Sequence, residues 1–294
     1  MKKDFNCNYS CLDSDVICEH KVARVNPNDV KTLHNHDGYE IVLFLGGNVK
    51  FFMEYEEKQL ERGDLLMVSS YSFHGIDMTD IHSYERVVIN IQESFLNKIS
   101  SMETNLSDCF HQISPTKLNF IHLSEKVISE FINLASKLEN IITYKPYGYQ
   151  VLKAAYLSEI MVLINQQTVT STMHTYTSIM PSIVAKTFEY IEKNISTNIS
   201  IHEMAVQLHH NSDYLSRSFK FVTGSSLKHY INAKRISLAQ RYLREGNSPY
   251  DVCFMTGFNN YSNFSRTFSN HIGCSPKLYQ VNYRSEFFKQ HHIE

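Results

Sequence analysis

The 294-residue chain lacks several features that would send its reading elsewhere. It has no run of eighteen apolar residues, so no segment reads as a transmembrane helix and no membrane partner is expected. No apolar stretch follows Met1-Lys2-Lys3, so no secretory leader is expected. None of the six cysteines forms a Cys-x-x-Cys pair, and the spacing of Cys7, Cys11 and Cys18 fits no standard metal site. Cys253 and Cys274 sit inside apolar helical patterns and read as small core residues. There is no phosphate loop and no nucleophile constellation, so no catalytic residue and no enzymatic role are expected. The reading is a cytoplasmic protein with reduced thiols.

The formal net charge is only −2, but it is unevenly spread. From Pro181 onward there are thirteen Lys and Arg against eight Asp and Glu, a balance of +5. The residues before it carry fifteen against twenty-two, a balance of −7. Such asymmetry points to a polyanion partner for the C-terminal part.

That part says the same thing twice. Leu215 recurs as Phe264, Arg217 as Arg266, Phe219 as Phe268, Gly224 as Gly273 and Tyr230 as Tyr279, each 49 residues on. A fixed offset over so many positions marks an internal repeat. Ser200-Ile201-His202-Glu203 is a capping box that opens a helix through Leu208. A turn at 209–211 and a second helix from Ser212 complete a helix–turn–helix. Leu215, Phe219 and Val222 form the inner face of that second helix. Ser212, Asp213, Ser216, Arg217 and Lys220 form the outer face, which suits the major groove of double-stranded DNA. A bridging helix follows from about Ser226 to about Arg244, a rod of roughly 28 Å. Ser248-Pro249 caps the next helix, and a turn at 257–260 leads to the last copy. There Phe264, Phe268 and Ile272 point inward, and Tyr261, Ser262, Ser265, Arg266 and Ser269 point outward.

Before the repeat the chain changes character. Residues 1–110 read as an irregular lead-in to about residue 20 and then short strands, from Val22 to Ile91, broken by turn signals, with a charged turn after Met53. That pattern argues a sandwich or small barrel. Two fragments resemble the cupin barrel. One is His34-Asn35-His36 with Glu40 and Gly46, and the other is Gly63-Asp64 with His74. Ser69 and Tyr71 stand where a metal-binding cupin usually has Pro and Gly. In such a barrel His34, His36, Glu40, Phe44 and His74 line the lumen and bind a small molecule, with Arg24 and Arg86 as weaker candidates. Three imidazoles and a carboxylate can also hold a divalent ion such as Zn, Fe or Mn. The reading taken is a pocket without metal or other cofactor.

Residues 111–167 read as helical. Ser124 is the expected N-cap of a helix to Leu138 carrying Val127, Phe131, Leu134 and Leu138 at helical spacing. A second helix runs to about Ile164. These stripes either cover the barrel or pair with their copies in a second chain, and pairing through one of them is the reading taken. The Ser- and Thr-rich stretch 168–180 reads as a linker, and 181–294 as the DNA-binding domain.

The C-terminal residues resemble the AraC/XylS family of bacterial transcription regulators. Asp251-Val252-Cys253, Gly257-Phe258, Phe264-Ser265-Arg266, Phe268, Gly273, Ser275-Pro276 and Tyr279 carry its signature. Ala205, Leu215-Ser216-Arg217, Phe219-Lys220, Thr223-Gly224, Tyr230-Ile231, Arg235-Ile236 and Ala239 carry the first copy. Cys253 and Ser269 depart from the residues usual there, Ala and Lys. The resemblance implies an α+β architecture of cupin-like sensor and paired helix–turn–helix motifs. It also implies homodimers, a small-molecule effector that is commonly a sugar, an RNA polymerase partner and activation of transcription. The rivals are a metal-dependent cupin enzyme carrying a DNA-binding tail and a constitutive DNA-binding protein.

Overall fold

The computed structural model describes residues 14–24, 34–36, 38–53, 56–70, 72–78, 83–111, 118–170 and 181–291. The chain divides between residues 180 and 181 into two compact units, giving a mixed α+β protein. Among the described residues no helix is long and apolar enough to cross a membrane.

Among the described residues the N-terminal unit forms two antiparallel sheets. The larger has the strand order β1 (Val16–Arg24), β7 (Ser83–Ile91), β2 (Tyr39–Gly46), β5 (Asp64–Val68), β8 (Phe120–His122). The smaller has the order β4 (Glu56–Gln59), β3 (Val49–Met53), β6 (His74–Met78). Side chains alternate across a strand, so each strand of the larger sheet serves two cores. Ile41, Leu43, Leu65, Met67, Val87 and Ile89 face helices α3 (Glu125–Tyr144) and α4 (Tyr149–Thr170). Val42, Phe44, Leu66, Val68, Tyr84 and Val88 face the opposite way, into an interior shared with Val49, Phe51 and Met53 of the smaller sheet. Burial on both faces explains why β2 is a nearly unbroken apolar run.

Several expectations fail here. The first strand begins at Val16, inside the stretch read as an irregular lead-in. The segment read as a charged turn after Met53 includes β4, whose Lys58 is buried and pairs with Asp64 at 2.7 Å. Short helices α1 (Glu93–Ile99) and α2 (Asp108–His111) and strand β8 carry too few residues to show a period. Ser124 occupies the N-cap of α3 without a side-chain cap bond. The stripe read as a pairing face lies against the sheet, with Phe131, Leu134 and Leu138 buried and Val127 packed beside them. Helix α4 runs through Thr170, two residues beyond the expected start of the linker. Residues 171–180 of that linker lie outside the described residues, as do Cys7, Cys11, Tyr71 and the side chain of Arg24. Cys18 donates to the Ala135 carbonyl at 3.4 Å, and burial first, then Glu139, raises its thiol to about 12.

The C-terminal unit is helical, with α5 (Ser182–Asn194), α6 (Ile201–Gln207), α7 (Ser212–Thr223), α8 (Leu227–Arg244), α9 (Pro249–Met255), α10 (Tyr261–Ile272) and α11 (Pro276–His291). The caps repeat with the sequence. Ser200 accepts from the Glu203 amide and Ser248 from that of Asp251. Asn211 accepts from Asp213 and Asn260 from Asn263. Gly224 and Gly273 close α7 and α10 in the left-handed region, at φ 73° and 84°. Each copy has its own aromatic core. Phe188, Phe219 and Tyr230 pack within 5.4 Å in the first. Phe258, Phe264, Phe268 and Tyr279 pack within 5.8 Å in the second.

Candidate DNA interface and ligand pocket

Two surfaces carry chemistry. The first is the outer side of the repeated helices. Helix α6 presents the small Ala205, fully buried, and the chain then turns through residues 208–211 into α7. Helices α9 and α10 repeat this with Cys253 in the small position and a turn of residues 256–260. The second turn is one residue longer, so the repeat offset is 48 at the leading helices and 49 at the trailing ones. His209 at φ 56° and Gly257 at φ 80° take the equivalent left-handed position.

Arg217 and Arg266 stand exposed at the centres of the two outer faces. Both are held loosely, Arg217 by the Asp213 carbonyl at 3.3 Å and Arg266 by Asn263 at 3.4 Å. Asp213, Lys220 and Ser262 are exposed, whereas Ser212, Ser216 and Ser265 are partly covered. Tyr261 packs against Phe264 and Tyr250, at 6.0 and 6.1 Å between ring centres, and belongs to the edge of the second core. Between the two outer faces runs α8, in which ten residues are buried. Its Arg235 donates to the carbonyls of Ile195 and Thr197 and lies over the Phe258 ring at 5.6 Å. That guanidinium ties the loop after α5 to the turn of the second copy.

The second surface is the interior between the sheets. His34 forms an isolated bridge with His74, exchanging two backbone hydrogen bonds of 2.9 and 3.0 Å. His36 follows two residues on, and Glu40 enters from β2 on the same face as Val42 and Phe44. The donor atoms of His34, His36, Glu40 and His74 all lie within 4.8 Å of one another. One oxygen of Glu40 contacts the Nε2 atoms of His36 at 3.2 Å and His74 at 2.8 Å. Burial alone would raise the Glu40 carboxyl, but the His36 and His74 rings outweigh burial and hold it well below the usual carboxylate range. Phe51 stacks on the His74 ring at 5.9 Å. Phe44 lies 5.9 Å from Tyr84, and Arg86 lies over the Tyr84 ring at 4.3 Å. All five pocket residues named from the sequence therefore meet in one interior, and Arg86 faces the same way as Phe44, its cross-strand partner.

The type of this set fits a divalent transition ion. His74 Nδ1 lies 2.9 Å from the Ser72 carbonyl, which only accepts, so Nδ1 carries the hydrogen. Its Nε2 then meets Glu40 either as an imidazolium donor or as a bare lone pair of the kind a metal takes. A bound ion would supply Lewis acidity at these four residues.

A family model described as a helix-turn-helix domain matches residues 204–282. The C-terminal unit is a helix–turn–helix domain of the AraC type. The transcriptional activator AarP of Providencia stuartii is 27% identical over 107 residues, 36% of this chain and 79% of AarP. The melibiose operon regulatory protein of Escherichia coli K12 is 20% identical over 268 residues, 86% of this chain and 85% of that protein. Among solved structures, ToxT from Vibrio cholerae aligns at 15% identity and TM-score 0.37, covering 91% of this chain and 98% of that one. The chain is a DNA-binding transcription regulator with an AraC-type domain.

Sequence reasoning missed four exposed residues of that domain, Tyr214, Phe221, Asn263 and Asn270. They flank Arg217 and Arg266 at the same spacings, three residues before and four after. Comparing the two copies position by position, rather than sorting polar from apolar, would have found them.

Proposed function

We propose that the chain is a ligand-responsive, sequence-specific regulator in which the interior between the sheets senses a small polar molecule. The observation that carries this reading is the convergence of His34, His36, Glu40, Phe44 and His74 on one buried interior in a protein whose other unit binds DNA. A carboxylate and imidazoles satisfy the hydroxyls of a sugar-sized ligand, and Phe44 and Phe51 supply apolar faces. Likeness over most of its length to the melibiose operon regulatory protein supports a sugar as effector. The name of AarP supports activation of transcription. RNA polymerase as partner and a place in the cytoplasm belong to the same reading. Homodimers form through α4, which exposes Val151, Leu152, Val162 and Val169 while its other side packs on α3 and α2. On this reading residues 1–110 sense, 111–167 pair, 168–180 link and 181–294 bind DNA.

The test is substitution of Ala at His36, Glu40 or His74 in the full chain. Expression from a responsive promoter should lose its dependence on the effector while affinity for a selected DNA site stays within about threefold, since changes in an independent unit couple weakly. If all three variants respond as the parent does, the sensing site lies elsewhere. Elemental analysis of native protein addresses the ion directly, and stoichiometric Zn, Fe or Mn would replace the metal-free pocket.

A further inference from the structure

Resting on the DNA-binding reading, we infer that the two recognition helices read different base chemistry, α7 through thymine methyl groups and α10 through adenine edges. Place Arg217 at the centre of the outer face of α7. At about 100° per residue, Phe221 then lies roughly 40° to one side and Tyr214 roughly 60° to the same side. Phe221 is 85% exposed and Tyr214 48%. A phenyl ring so exposed on a helix whose inner face already fills a core has no folding role there, because its transfer from water is left undone. Tyr214 is steadied by the His210 ring at 5.5 Å, which fixes one edge of this apolar flank.

The second copy answers with different residues at the same two places. Around Arg266 on α10, Asn270 lies roughly 40° away and Asn263 roughly 60°, on the same side. Both are exposed. The other flank also differs, Asp213 and Lys220 in the first copy against Ser262 and Ser269 in the second. The Arg is therefore the shared element and the flanks are the variable ones. In the major groove an apolar side chain is matched by the C5 methyl of thymine, and Asn is matched by the N6 and N7 edge of adenine. The asymmetric flanks assign the two half-sites different contacts.

The test starts from DNA selected out of a random pool by the full-length protein, followed by affinity measurements on the selected site. Replacing each thymine in turn by deoxyuridine removes only the methyl group. At one or two positions in the segment read by α7 this should weaken binding about fourfold per methyl, the effect of one buried methyl group. Phe221→Ala should abolish that loss at one of these positions, because the ring that touched that methyl is gone. Asn270→Ala should leave the deoxyuridine effect intact and instead relax the preference for adenine in the other segment. If no sequence is enriched at all, the DNA-binding reading fails. If a site is selected but deoxyuridine is tolerated at every position, or Phe221→Ala keeps the parent pattern, this assignment fails and the regulator reading stands.

Discussion

The joint between the two copies offers a sharp test, because two glycines in similar backbone conformations differ in what surrounds them. Gly257 has φ 80° and Gly273 φ 84°. A side chain at either meets the left-handed strain of about 1–2 kcal/mol. At Gly273 nothing lies within 4 Å of the added carbon, so the strain is the whole cost. At Gly257 the carbon would sit 2.6 Å from the Ile195 carbonyl oxygen and 3.0 Å from the Ser196 carbonyl carbon, both backbone. The loop must move, and the same Ile195 oxygen accepts from Arg235 at 3.1 Å. A hydrogen bond to a charged group contributes about 1.5–3 kcal/mol, so losing this one on top of the strain brings the total for Gly257→Ala to about 3–5 kcal/mol. Each 1 kcal/mol lowers the melting temperature of a domain near this size by about 4–8 °C. Calorimetry on the full chain should follow the transition that bound DNA moves upward. Gly257→Ala should lower that transition at least twice as far as Gly273→Ala. Equal falls would refute the claim that the Arg235 joint is tight.

Phe131→Ala should cost about 3–5 kcal/mol as a core truncation, and Phe131→Glu should unfold the N-terminal unit rather than release a folded monomer. Val162→Glu on the exposed side of α4 should instead leave folding within about 0.5 kcal/mol and yield monomers by sedimentation. A depressed Glu40 carboxyl stabilises the fold fully above its unfolded value of about 4.3, and that contribution is lost as pH falls through the lower folded value. Glu40→Gln should flatten this acid limb in denaturant melts taken between pH 5 and 3, and an unchanged slope would remove Glu40 from the account.

What the sequence made legible follows the range of the forces involved. Caps, C-terminal glycines and the alternation of inner and outer faces act within one turn, so Ser200, Ser248 and Gly224 were readable, with Gly273 as the repeat of Gly224. Period alone showed that Phe131 and Leu134 would be covered, but it cannot say by what, and a sheet built largely from far earlier in the chain proved to be the cover. The pocket was readable from residue types at two spacings, yet the bridge that brings His34 against His74 is a long-range pairing with no local signal. The four-residue strand β4, read as a charged turn, was missed for the same reason, since its partner decides it.

Helix α8 has one further consequence. Its eighteen residues make a rod of about 27 Å, and ten of them are buried against both copies, so its length is not adjustable. One added base pair between the two contacted segments advances the second by about 3.4 Å and turns it by about 34–36° round the duplex, away from α10. If α7 and α10 are the two contacting helices, as proposed, the protein acts as a ruler. Individual bases at its sites can drift under selection while the interval between the two segments stays fixed, and a genome searched for its targets is better searched for that interval than for any one sequence of letters.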